Sequence, residues 1–382
     1  MGRNPATREG GSRPLGDAAI FRAPPPPHKT GLRMVPTALR PIALNCAALG
    51  AAAAGGLVFQ ALNTPIPWLL GSLAFVAGIN LAGFRVSCPN GTRQLGQIVI
   101  GTAIGLRFTP EVAGVVLGQL HWMAIAAIVA VLLGGVGALI QMRIARLDAA
   151  TAYFGSVPGG MAEMIVIGDR FRAEPVATAL SQTVRVGIVV VTVPVGLAWL
   201  GAAGDSFFDL QAIPVDWSRL PLLIAGCAGT AFLLDRLGVT NAWMLGACFF
   251  AALLTVGGIE LSGLPDIFLV LGQMLVGAAL GERFDREPMR RAPRVIVGAA
   301  LSTAILLAAS IALAWAISAA SGLPLATLVA ATCPGGLAEM SITAEILGLG
   351  VPLVTAYHIT RIVLITLVTL PLFRMIRRGK PG

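Results

Sequence analysis

The chain has 382 residues, of which 56% are hydrophobic and 12% charged, with a mean hydropathy of +0.83. That is about half the charged fraction of an ordinary soluble domain, and it excludes a soluble globular protein. The net charge of +9 would suggest nucleic acid in a soluble protein, but the excess lies in the N-terminal tail, in 283–294 and in 374–380, all beside apolar segments. Lys and Arg enriched there mark cytoplasmic loops of a membrane protein, so no nucleic-acid partner is expected.

In chain order, residues 1–39 are rich in Gly, Pro and Arg and include the run Pro24-Pro25-Pro26-Pro27. With no apolar stretch they form no signal peptide and are predicted to be a disordered basic tail. Met34, just before the first apolar segment, reads as an alternative start that would leave most of this tail untranslated. Six apolar elements follow, near 40–62, 66–84, 92–108, 119–144, 150–170 and 175–201. An acidic linker, 203–218, leads to six more near 219–237, 241–262, 265–282, 295–319, 325–347 and 351–373, and a basic tail closes the chain at 376–382. Runs such as 119–141 and 295–320 are long enough to span a bilayer. Five scattered cysteines, Cys46, Cys88, Cys227, Cys248 and Cys333, support neither a disulfide framework nor a metal site, and read as small apolar packing residues.

The two sets of six are copies. Residues 158–164 read Pro-Gly-Gly-Met-Ala-Glu-Met and residues 334–340 read Pro-Gly-Gly-Leu-Ala-Glu-Met, an offset of 176. At the same offset, LGQIVIGTAIGLRF at 95–108 matches LGQMLVGAALGERF at 271–284, and Arg185 matches Arg361. Trp68-Leu69-Leu70-Gly71 recurs as Trp243-Met244-Leu245-Gly246. Several motifs at one offset indicate a duplication, with membrane repeats over 40–202 and 219–375.

The fifth element of each copy holds Pro-Gly-Gly at its centre, where a missing donor and two weak helix formers predict a break. Broken backbone at membrane depth needs protein or a water-filled cavity around it. If this element crossed the membrane, Arg283, Arg286, Arg290, Arg291 and Arg294 would fall outside, against the positive-inside rule. If it is re-entrant, that cluster falls inside with Arg143, Arg146, Arg170, Arg172, Arg374, Arg377, Arg378 and Lys380, while Asp205, Asp209 and Asp216 fall outside. The predicted fold is therefore an all-α polytopic membrane protein. It has two inverted repeats of about five transmembrane helices plus one re-entrant segment each, both termini cytoplasmic, and the arrangement recurs in secondary transporters.

Glu163 and Glu339 are the sharpest site candidates, because a carboxylate at that depth is costly unless used. They read as an ion, proton or cation site that Pro158, Gly159, Gly160, Pro334, Gly335 and Gly336 would complete with freed backbone groups, or as caps of a broken helix. Asp169 and Glu345, six residues further on, match each other and read as interfacial. Arg185 and Arg361 need an anion, for which the re-entrant Glu is the simplest partner and an anionic substrate the alternative. Gln182 matches His358, so any His-dependent proton chemistry would sit on one side only, against a packing role. Gln97 and Gln273 could line a cavity, while Gly101, Gly105, Gly277 and Gly281 read as close helix packing.

With the paired P-G-G-x-A-E-M motifs, the L-G-Q-x-x-x-G-x-x-x-G elements and the late Q/H-x-x-R helices, the chain resembles the bacterial AbrB-type membrane proteins over roughly 40–375. The resemblance implies a multi-pass protein of the bacterial inner membrane, associated with regulation of gene expression; some members carry an ammonia monooxygenase label. His28, His121 and His358 are never adjacent, so a copper oxidase finds little support, and neither catalytic residue nor metal nor cofactor is expected. The expected function is secondary transport or export of a small solute, coupled to protons or Na⁺. The alternative is a membrane-embedded regulator or sensor acting indirectly. The expected partners are the lipid bilayer and an unidentified small molecule or ion, with a homo-oligomer left open.

Overall fold

Proline and helix-capping side chains punctuate the apolar elements. The structure, a computed structural model, describes residues 40–202 and 213–378; the predicted disordered tail, Asp205, Asp209 and Lys380 lie outside them. Sixteen helices and no strand occur among the described residues. The first eight are α1 (Arg40–Ala61), α2 (Pro67–Ala82), α3 (Thr92–Gly105), α4 (Pro110–Gly118), α5 (Leu120–Ile144), α6 (Ala149–Ser156), α7 (Met161–Asp169) and α8 (Pro175–Trp199). The second eight are α9 (Leu220–Arg236), α10 (Ala242–Val256), α11 (Asp266–Gly281), α12 (Arg286–Arg291), α13 (Pro293–Ser321), α14 (Leu325–Thr332), α15 (Leu337–Ile346) and α16 (Val351–Arg378). Proline opens α2, α4, α8 and α13, where its missing donor costs nothing. The Asp148 carboxylate accepts from the backbone N–H of Ala150 and Thr151 at 3.0 Å to start α6. Gly322, at φ 74°, ends α13 in a left-handed turn.

Among the described residues, five helices are long and apolar enough to cross a membrane: Ile42–Ala61, Leu120–Ile144, Pro175–Trp199, Pro293–Ser321 and Val351–Val368. A sixth is obtained if α3 and α4, bent by 94°, count as one span. This is fewer than the ten spans read from hydropathy, because α2, α9, α10 and α11 have only 15 to 17 residues. At 1.5 Å per residue they reach about 24 Å, short of a hydrocarbon core of about 30 Å.

The α5 helix carries much of its bulk outward. In α5 the small residues Ala126, Ala127, Gly134, Gly137 and Ala138 are buried, while Ile125, Ile128, Leu132 and Leu139 are exposed. Where lipid replaces water, burial of large side chains brings no advantage and close backbone approach does.

Two helix groups result. In one, α3 packs on α10 and α11 on α2, with α9 against α10. Glycine makes both seams: a Cβ at Gly101 or Gly105 would collide with the carbonyl oxygens of Met244 and Cys248. At Gly277 and Gly281 it would lie 2.5 and 2.8 Å from those of Leu69 and Leu73. These glycines are packing residues, as their spacing indicated. In the other group α5 packs on α13 and α16, α8 on α13, and the short helices α6 and α14 sit against α8 and α16.

Candidate functional site

Each Pro-Gly-Gly sequence breaks its element in the same way. Proline disfavours helical backbone in the residue before it, and Val157 (ψ 128°) and Cys333 (ψ 145°) are accordingly extended. Helices α6 and α14 stop there, and α7 and α15 restart at the residue after the second glycine. The first glycine of each pair receives a methionine from the following turn: a Cβ at Gly159 would lie 2.7 Å from Met164 Cε, and one at Gly335 2.7 Å from Met340 Cγ. The second glycine leaves room for the glutamate. A Cβ at Gly160 would sit 3.1 Å from Glu163 Oε2, and one at Gly336 would overlap Glu339 Oε2.

A broken helix leaves carbonyls without partners at its C-terminal end. Buried Arg185 supplies them in the first segment, donating from Nη1 to the carbonyls of Ser156 and Val157, both at 3.0 Å, and from Nη2 to Gln182 Oε1. Buried Arg361 does the same in the second, donating to Cys333 O and Gly335 O, both at 2.6 Å. This corrects the expectation of an arginine–glutamate ion pair, because no such pair occurs here among the described residues. The guanidinium instead meets the negative end of a half-helix with several donors at once.

Gln182 and His358 share one structural task. Gln182 Nε2 donates to Phe154 O at 2.7 Å and Val157 O at 3.1 Å, and His358 Nε2 lies 3.0 Å from Ala330 O. A carbonyl can only accept, so the His358 proton is on Nε2. His358 is fully buried, which favours the packing role over proton transfer.

Glu163 and Glu339 occupy the first turns of α7 and α15, where the helix N-terminus favours a carboxylate. Glu339 is buried, Glu163 only partly, and Glu163 Oε2 has no hydrogen-bond partner. Both face one cavity of about 360 Å³. Its wall includes Pro158, Gly159, Gly160, Gly335, Gly336, Gln182, Arg185, Arg361 and Gln97, so eleven of the fourteen candidates converge there. His358, Gln273 and Pro334 are not part of the wall; Gln273 is buried within α11.

The opposite wall comes from residues outside the sequence candidates. Arg93 and Gln94 come from α3, Asp235 and Asn241 from the α9–α10 corner, and Arg283 follows α11. In sequence Arg283 stands with the flanking cations, and its place in the repeated Arg-Phe pair is what distinguishes it from them. The cavity thus lies between the glycine-seamed group and the broken-helix group, with Glu163, Glu339, Arg185 and Arg361 on the broken-helix side and Arg93, Arg283 and Asp235 on the other. Such a chamber can hold a proton or cation at Glu163 and Glu339 and an anionic group at Arg93 and Arg283.

No solved structure matches the chain. It is 25% identical over 354 residues to "Uncharacterized protein YhjN" of Bacillus subtilis (strain 168), covering 85% of this chain and 91% of that protein. It is 28% identical over 294 residues to "Putative regulator AbrB" of Escherichia coli (strain K12), covering 75% and 83%. The family described as "Transition state regulatory protein AbrB" matches residues 68–377, and the chain belongs to this AbrB family.

Proposed function

We propose that the protein is a secondary transporter of a small solute in the bacterial inner membrane, coupled to a proton or cation and without enzymatic activity. The observation that carries this reading is the meeting of two broken segments, each with a glutamate on its first turn, across one cavity. Half-helix ends around a central site supply partial charges for ion and solute together. In this reading repeats 40–202 and 219–375 have inverted topology, with α6–α7 and α14–α15 entering from opposite faces. The Arg-rich turn after α11 then faces the cytoplasm, and so does the cavity mouth beside Arg93 and Arg283.

The test is proton flux in liposomes containing the full chain and an entrapped pH-sensitive dye, under imposed pH and Na⁺ gradients. Glu163→Gln and Glu339→Gln are each expected to lower protein-dependent flux at least tenfold. Flux that survives both replacements together would remove the carboxylates from the coupling site.

The name of one relative favours a second reading. "Putative regulator AbrB" is a description of that protein; carried here, it would make the cavity a sensor's ligand site acting indirectly on expression. A deletion strain with altered transcripts, together with a reconstituted protein showing no flux, would support it.

A further inference from the structure

The duplicated sequence contains two copies of a possible ion pair, and only one is made. Arg107 and Arg283 are equivalent at the repeat offset of 176, as are Glu345 and Asp169. Arg107 Nη2 lies 2.6 Å from Glu345 Oε1, tying the end of α3 to the last turn of α15. Arg283 and Asp169, at the matching ends of α11 and α7, form no ion pair with each other; Asp169 is exposed and Arg283 lines the cavity.

The packing around the two pairs differs in the same sense. Every residue from Leu337 to Ala344 in α15 is buried, and α15 packs against α3. In α7 only Met164 and Gly168 are buried, and its main neighbours are α6 and α8 of its own helix group. Each pair would bridge the glycine-seamed group to the broken-helix group. At one end the groups are closed on each other, and at the other the cavity lies between them.

Building on the transport reading, we propose that Asp169–Arg283 and Arg107–Glu345 are alternating latches, one closing each mouth of the cavity. The present conformation has the Arg107–Glu345 latch shut. Sliding the broken-helix group against the glycine-seamed group would part it and bring Asp169 to Arg283. That step withdraws Arg283 from the cavity wall, so the cation that faces solute in one state seals the entrance in the other. The pair is partly open to solvent on its arginine side, with Arg107 34% and Glu345 11% exposed, so water can enter it when the groups part. The change between the copies of Glu345 for Asp169 keeps a carboxylate at that position, so both pairs are chemically competent.

Cross-linking tests this without any solute. In the full chain with Cys46, Cys88, Cys227, Cys248 and Cys333 replaced by Ala, one variant carries Arg107→Cys with Glu345→Cys and another Arg283→Cys with Asp169→Cys. In liposomes, a short bis-methanethiosulfonate linker is expected to bridge both pairs. In the fourfold variant each molecule is expected to take one bridge and not both. Failure of the Arg283/Asp169 pair where the Arg107/Glu345 pair reacts, or both bridges in one molecule, overturns the proposal. The same switch is open to hydrogen exchange with the native cysteines in place. Glu345→Gln is expected to raise exchange about fivefold in α15 and lower it in α7, and unchanged exchange in both overturns it. Exclusive cross-links without proton flux would retain the latches and remove the transport reading; flux without the second cross-link would do the reverse.

Discussion

The two broken segments are nearly the same in sequence and differ in surroundings. Both stop before proline, both fold a methionine over the first glycine, and both have their loose carbonyls held by a buried arginine. Yet α15 is enclosed along Leu337–Ala344 while α7 is largely open. The motif therefore fixes the break and its cap, and the state of the whole molecule fixes how deeply each break is buried. Local chemistry is symmetric where global packing is not.

The largest expected effect tests the symmetric part. Arg185→Ala and Arg361→Ala each remove at least two charge-assisted hydrogen bonds to carbonyls, at about 1.5–3 kcal/mol apiece. Both should lower stability in detergent to a similar degree, by roughly 3 kcal/mol or more, read as a drop in the thermal unfolding midpoint. A large loss at one arginine and none at the other would break the equivalence of the two caps. A smaller contrast is expected at the second glycines. Gly336→Ala places a methyl on the Glu339 carboxylate, whereas Gly160→Ala meets Glu163 at 3.1 Å. Proton flux should fall about tenfold for the first and about threefold for the second, and equal losses would show that the two carboxylates are equally free to shift. The smallest effect is expected for His358→Gln, which makes the halves alike. Because Gln182 already holds the corresponding carbonyls, stability should change by less than about 1 kcal/mol and the pH profile of flux not at all. A displaced acid limb in that profile would restore His358 as a titrating group.

Much of this site could be read from residue types alone. Pro-Gly-Gly has one physical consequence in an apolar helix, and Glu at membrane depth demands a polar setting, so the cavity-lining role of Glu163 and Glu339 was accessible. The partner of Arg185 was not. Charge pairing made glutamate the obvious anion, but a broken helix offers several carbonyls at one end, and a guanidinium matches several acceptors better than one carboxylate. Arg93, Asp235 and Asn241 were equally hidden, since they reach the cavity through the packing of α3 and the α9–α10 corner, and that packing depends on glycine seams spanning the two copies. The short helices α2, α10 and α11 look like full spans by hydropathy because composition carries no sharp record of where a helix ends.

The glycine seams also bear on biosynthesis. α2 receives the glycines of α11, so the surface it offers is completed by residues translated about two hundred positions later. Until then the newly inserted α2 and α3 must wait in the bilayer with their close-packing faces unoccupied. The first copy cannot mature before the second is made, and the chain should acquire protease resistance in one late step. Two fragments divided at the acidic linker, made together in one membrane, would then reassemble across those seams, and either one made alone would be degraded.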